Sequence, residues 1–183
     1  ILPTLPALSD SYDIDTLKQF VQDFVAPGER SWIYDGDNKT IDTYWAGKAY
    51  GKVSEVAAIA NTLGMDNEAS ILINWLKSEL SDWFTAETNG ELDETRYFVY
   101  DNEWNTLLGM DEAYGSHQGL ADHHFHYGYF VRAAAEICRV DTAWCSQDQY
   151  GPMVELLIRD YAAADDDDMF PPTRNFDPAN GFS

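Results

Sequence analysis

The densest group of chemically capable side chains is Asp122-His123-His124-Phe125-His126-Tyr127-Gly128-Tyr129-Phe130, which holds three of the chain's four histidines. On a helix, the 3.6-residue period puts Asp122, His126 and Tyr129 on one face and His123, Tyr127 and Phe130 on the next. A carboxyl among imidazoles and phenols can deliver a proton, provided apolar walls or a nearby charge let it hold one near neutral pH. Phe125, Tyr127 and Tyr129 can build such a wall, and His126 can orient the acid. A structural role competes with this chemistry. Asp122 can be the N-cap of the following helix, and the histidines can be hydrogen-bonded interior groups. Zinc is a third possibility, because His-x-His spacing suits it. No HExxH is present, however, and Cys138 and Cys145 lack CxxC spacing, so no metal and no cofactor are expected.

Three further segments mix the same residue types: Tyr44-Trp45-Ala46-Gly47-Lys48, Tyr100-Asp101-Asn102-Glu103-Trp104 and Arg174-Asn175-Phe176-Asp177. Each alone is equally compatible with packing. Together they supply carboxylates, a guanidinium and stacking rings, the ingredients of a carbohydrate cleft. The 11 tyrosines and six tryptophans fit that reading, since aromatic faces match the apolar C–H faces of sugar rings, although part of them must fill a core. Eleven Lys and Arg stand against 32 Asp and Glu, a net charge of −21. Such a surface repels phosphate backbones and anionic lipids, so neither nucleic acid nor a membrane is an expected partner, and a neutral substrate is. No apolar run reaches membrane-spanning length.

The elements that must position these residues are mostly helical. Leu17, Phe20, Val21, Phe24 and Val25 recur at helical spacing after Asp13 or Asp15, either of which can cap the helix, and Pro27-Gly28 ends it. A second helix is expected over 43–63, ending at Gly64. A third is capped by Asp66 and carries Ile71, Leu72, Trp75, Leu76, Leu80 and Trp83 on its apolar face. A fourth is expected over 122–138, and a fifth is centred on Met153, Leu156, Leu157 and Tyr161. The long connection over 88–121 contains Tyr97-Phe98-Val99-Tyr100, a candidate strand. Long connections of this kind are usually functional. Asp165 to Asp168 reads as a solvated loop, with calcium binding a minor alternative. The fold class is therefore all-α, built of antiparallel helix pairs as in an α/α barrel or a helical array, with a candidate short β-hairpin. Cys138 and Cys145 can close a short disulfide loop or stay reduced. The opening Ile1-Leu2-Pro3 lacks an initiator Met and points to a processed or partial chain.

The DHHFHYGYF segment at 122–130 resembles the hallmark of glycoside hydrolase family 81, the endo-β-1,3-glucanases acting on laminarin-type glucans. TYWAGKAYGK (43–52), AAIANTLG (57–64), LKSELSDWF (76–84), YDNEWNTLLG (100–109), ELLIRDYA (155–162) and FPPTRNFDPANGFS (170–183) resemble further family segments in order. The resemblance implies an inverting glycosidase whose catalytic unit is an (α/α)6 barrel, of which residues 1–183 form the N-terminal part. It places the general acid on Asp122, with His124, His126 and Tyr127 lining the substrate. Tyr44, Trp45, Asp101, Trp104, Arg174 and Asp177 match segments near the cleft. The glutamate that acts as base in the family finds no match; Glu103 and Glu155 do not fit its motif, so it is expected beyond the chain end. Residues 178–183 depart from the family pattern, which puts contacts from that loop in doubt. The resemblance also implies a β-1,3-glucan partner, a secreted monomer and attachment to further domains. Two other readings stay open: a glucan-binding helical module without catalysis, and a helical carbohydrate enzyme of other specificity.

Overall fold

A computed structural model describes residues 13–26 and 40–172. Among them run α1 (Ile14–Val25), α2 (Thr43–Thr62), α3 (Asp66–Trp83), β1 (Glu87–Thr88), β2 (Glu91–Leu92), β3 (Tyr97–Asp101), β4 (Thr106–Met110), α4 (Ser116–Gly119), α5 (His123–Val140) and α6 (Gly151–Ala162). The chain is mostly helical, as its periodicity predicts. The connection over 88–121 holds more order than one strand. It carries most of hairpin β1–β2, all of hairpin β3–β4, and the single turn α4.

Local chemistry explains the helix starts. Asp13 Oδ1 accepts the Thr16 backbone N–H at 3.0 Å. Asp42 Oδ1 accepts those of Tyr44 at 3.0 Å and Trp45 at 2.8 Å. Each satisfies donors that a first helical turn leaves open. At α3 the expectation needs correction. Met65 occupies the cap position and makes no side-chain cap bond, so Asp66 is the first helical residue. Its carboxylate still lies where the helix dipole favours negative charge.

The helices pack as two antiparallel pairs, and α2 and α5 run side by side in the same direction. Thr43 meets His126 near their starts, and Glu55 meets Arg132 further along. Two glycines bring them close. A Cβ at Gly47 would stand 3.0 Å from Tyr129 Cβ and 3.2 Å from the His126 carbonyl, and one at Gly51 would stand 2.9 Å from the Tyr129 ring. α3 returns against α2 after a three-residue turn, and α6 returns against α5, its Asp160 reaching His123. The core between them is aromatic. Phe130 has Trp83, Tyr50 and Phe98 at ring-centroid distances of 5.2, 5.3 and 5.4 Å. Leu72, Leu76, Leu80, Val53, Ile137 and Leu157 fill the rest.

Hairpin β3–β4 is pinned to α2 and α3 through Arg96. Its guanidinium donates to Glu79 at 2.7 Å and to Asp82 at 2.6 Å. Tyr50 also donates to Glu79, at 3.0 Å, and accepts from Trp83 Nε1 at 2.9 Å. Burial, reinforced by Glu79, holds the Tyr50 phenol well above its ordinary pKa.

Cys138 and Cys145 are joined in a disulfide, which fixes the loop after α5. The acidic run is only partly a solvated loop. Asp165 and Asp166 are exposed, but Asp167 turns inward, accepts from the Met169 and Phe170 backbone at 2.9 Å, and pairs with Arg159 at 2.7 Å. The Arg159 hydrogen bond holds its carboxyl far below the usual range. Among the described residues no group of three or more His, Cys, Asp or Glu side chains is placed to hold a metal ion. No helix among them is long and apolar enough to cross a membrane.

Candidate active site

Asp122 occupies the N-cap position of α5 but does not use its side chain as a cap. Its backbone sits at φ 60°, ψ 13°, in the left-handed region. Its carbonyl accepts the Phe125 N–H at 3.0 Å and the His126 N–H at 2.8 Å, while the exposed carboxylate makes no capping bond. For an L-residue other than Asn, Asp or Gly this conformation costs roughly 1–2 kcal/mol, and for Asp somewhat less. Two upstream neighbours share it, Tyr114 at φ 56° and Leu120 at φ 46°. Positive-φ backbone just ahead of a carboxylate that makes no capping bond is found at functional sites.

The next residue holds that backbone in place. His123 is 3% exposed, and its Nδ1 lies 2.6 Å from Oδ2 of the fully buried Asp160. The other oxygen of Asp160 accepts the Leu107 backbone N–H at 2.7 Å and the Thr106 hydroxyl at 2.8 Å. One carboxylate thereby joins the start of α5, the end of α6 and the start of β4. Tyr127 repeats the tie a turn later, donating its hydroxyl to the Leu107 carbonyl at 2.8 Å and accepting from Gly109 N at 3.2 Å.

His126 faces α2. It is 1% exposed, with Nδ1 3.0 Å from the Thr43 hydroxyl. Burial lowers its pKa most; Asp122 and Asp42 pull it up, while His123 and His124 push it down. The ring is therefore neutral at neutral pH.

Around this start of α5 lies a patch of rings centred on Tyr44. Tyr114, Trp45, His126, Phe125 and Tyr129 stand at centroid distances of 4.8, 5.1, 5.4, 5.9 and 6.4 Å from it. Tyr114, Phe125 and Trp45 are 69, 47 and 46% exposed. Lys48 Nζ lies 5.0 Å from the Trp45 ring, a cation–π contact that steadies the indole without hiding it. Large rings kept in water beside an exposed carboxylate suit a ligand with apolar faces and hydroxyl edges.

The structure distributes the sequence-predicted residues unevenly. It brings Asp122, Tyr44, Trp45, His126 and the half-buried His124 to one end of the α2–α5 pair. Tyr127 is 1% exposed, and its hydroxyl is committed to β4, so it supports the site rather than faces solvent. Asp101 and Trp104 lie on the neighbouring hairpin β3–β4. Arg174 and Asp177 lie outside the described residues. Sequence reasoning passed over Tyr114, Asp42, Thr43 and Asp160. The last had a legible signal: it follows Leu156 and Leu157 by four and three positions, a charge on an apolar stripe.

A model of the glycosyl hydrolase family 81 C-terminal domain matches residues 18–183. The chain belongs to glycoside hydrolase family 81. It is 43% identical over its whole length to the glucan endo-1,3-beta-D-glucosidase of Acetivibrio thermocellus and covers 22% of that protein. It is 40% identical over 99% of its length to the enzyme of the same name from Thermobifida fusca and covers 23% of it. Its fold matches a mutant of the family 81 glycoside hydrolase from Clostridium thermocellum with a TM-score of 0.79. That match covers 97% of this chain and 23% of the other, at 43% identity. The chain thus spans under a quarter of the relatives it resembles.

Proposed function

We propose that this chain is part of the catalytic unit of an inverting endo-β-1,3-glucanase, with Asp122 as general acid. One observation carries the reading: Asp122 starts a helix in a strained backbone conformation without spending its carboxylate as the cap, beside rings left in water. Family membership and the names of the relatives support the substrate, a laminarin-type glucan.

In this mechanism the Asp122 carboxyl gives its proton to the glycosidic oxygen as the bond breaks. A second carboxylate activates water on the opposite face of the sugar, roughly 6.5–9.5 Å away. That base is a glutamate outside these 183 residues, and the chain is the N-terminal part of an (α/α)6 barrel. Tyr44 and Trp45 offer stacking faces to the glucan, and His124 and His126 border the same end. The neutral His126 adds no positive charge that would draw the proton off Asp122 before the leaving group takes it. Arg174 and Asp177 add contacts from the following segment. The enzyme acts outside the cell, because its polymeric substrate cannot enter, and it works as a monomer.

Proton NMR of laminarin turnover by the enzyme that carries this chain together with its base tests this. New α-anomeric reducing ends must appear before β-anomers. Asp122→Asn must fold with an unchanged melting temperature and lose roughly 10²–10⁴-fold in kcat. β-Anomers appearing first would overturn the inverting mechanism. The second reading, a glucan-binding module, is favoured by the exposed aromatic patch alone. It predicts laminarin binding without turnover, equally strong in Asp122→Asn.

A further inference from the structure

Thr43 is the first residue of α2 and is 1% exposed, but the helix is capped by Asp42, so the Thr43 hydroxyl is free for another task. Its surroundings fix its rotamer. Its methyl packs on Gly109, where a Cβ would collide with Thr43 Cγ2. Its backbone N–H donates to the Asp111 carbonyl at 3.2 Å, and Asp111 N–H donates to the Ile41 carbonyl at 2.9 Å. With the backbone and the methyl held, a β-branched side chain has one staggered position left for its hydroxyl. That position is 3.0 Å from His126 Nδ1.

We infer that Thr43 is a positioning residue for the reaction proposed above: its hydroxyl donates to His126 Nδ1 and keeps the ring proton on Nε2, as a donor beside Asp122. The catalytic consequence rests on the glucanase reading; the tautomer does not.

The direction of the bond follows from the protons available. A neutral imidazole has one N–H and one lone pair, and a hydroxyl has a proton of its own to place. Among the described residues the Thr43 hydroxyl has no partner except Nδ1. Were Nδ1 to donate, the hydroxyl proton would be buried without an acceptor, which is costly. With the hydroxyl donating, both groups are satisfied by one bond. Burial keeps the ring neutral, so its single proton sits on Nε2.

That proton is placed to act on the acid. His126 N–H bonds the Asp122 carbonyl at 2.8 Å, one helical turn back. Helical side chains lean toward the N-terminus, over the preceding turn, and here that turn begins with Asp122. After burial, the Asp122 charge is the strongest influence on the imidazole. When Asp122 gives its proton to the glycosidic oxygen, a carboxylate is left behind. A neutral Nε2–H stabilises that charge as it develops, while the histidine keeps its own proton. The other tautomer would turn a lone pair toward the same charge. An interaction that grows in the transition state raises kcat rather than tightening substrate binding.

The test combines NMR of isotope-labelled histidine ring nitrogens with laminarin turnover, in the enzyme that carries this chain together with its base. The His126 signals are assigned by their loss in His126→Asn. Wild type is expected to show a neutral His126 protonated at Nε2. Thr43→Val keeps the shape and the methyl but removes the donor. It is expected to move both ring nitrogens toward a mixture of tautomers. It should also lower kcat about tenfold, the size of one hydrogen bond, with KM unchanged. Thr43→Ser restores the hydroxyl and is expected to recover the wild-type tautomer and most of kcat. A proton on Nδ1 in wild type would overturn the inference, whether or not Thr43→Val folds. Wild-type ring shifts and kcat in Thr43→Val would overturn it too, as would a Thr43→Ser no better than Thr43→Val. Wild-type enzyme inactive on laminarin would sink the glucanase reading, and the ring shifts would still decide the tautomer.

Discussion

Replacing Asp122 by glycine separates the two things this residue does. Glycine reaches φ 60° without a steric penalty, so Asp122→Gly removes the strain while deleting the carboxyl. Because the side chain makes no cap bond, nothing of the usual ~1 kcal/mol capping contribution is lost with it. The variant is expected to melt at or above the wild-type temperature and to be catalytically dead. A clear drop in melting temperature would mean that the carboxylate holds the helix start after all. His126 allows a second separation, this time by pH. Its folded pKa lies below its unfolded value, because burial disfavours the charged ring. As pH falls through about 6.5, the unfolded chain takes up the proton first, and the stability due to this group is lost toward acid. Above that pH the contribution is fully present. Melting temperatures from pH 7.5 to 5 should therefore fall more steeply for wild type than for His126→Asn, whose amide can keep the Thr43 bond. Parallel curves would show that the ring does not titrate differently on unfolding.

One buried carboxylate joins three elements, and its removal should be felt at the helix start rather than only globally. Asp160→Asn keeps an oxygen for Leu107 N–H and Thr106 but turns an NH₂ toward His123 Nδ1, donor against donor. A loss of about 1–3 kcal/mol is expected. Amide exchange at Phe125 and His126, whose N–H groups bond the Asp122 carbonyl, should accelerate beyond the global change. Uniform acceleration across α5 would reduce Asp160 to a general packing role. This tie also marks how far the site was legible in sequence. The helices were legible because apolar spacing encodes them, and the cluster at 122–130 because it concentrates rare residue types. The partners that position it were not. His123 meets Asp160 across 37 residues and His126 meets Thr43 across 83, and no local pattern encodes such pairs. Gly47 and Gly51 read as weak points in a helix until the backbone of α5 is seen against them. Within 88–121 the strand at 97–100 was legible, but hairpin β1–β2 and the turn α4 were not. What places hairpin β3–β4 is Arg96, reaching Glu79 and Asp82 on α3 and Tyr50 on α2, and no local pattern encodes those partners.

The charge of the whole molecule sets a condition on all these contacts. With 11 basic and 32 acidic residues, even complete pairing would leave 21 carboxylates facing like charge. Folding gathers them on one surface, and their repulsion opposes the compact state. Salt acts on this unevenly. Raising ionic strength from 0.1 to 1 M shortens the Debye length from roughly 10 to 3 Å. The summed repulsion between distant exposed carboxylates is then largely screened. Exposed pairs such as Arg132 with Glu55 weaken too, but pairs of that kind are worth about 0–1 kcal/mol each and are few. The Arg96–Glu79 pair is nearly buried and loses little. The balance favours the folded state, so the melting temperature should rise steadily with sodium chloride. Potassium chloride at equal ionic strength should raise it equally, since screening does not depend on the identity of the monovalent cation. A flat or falling curve would mean that ion pairs, not repulsion, dominate the surface. A rise specific to one cation would point instead to bound ions among the acidic groups.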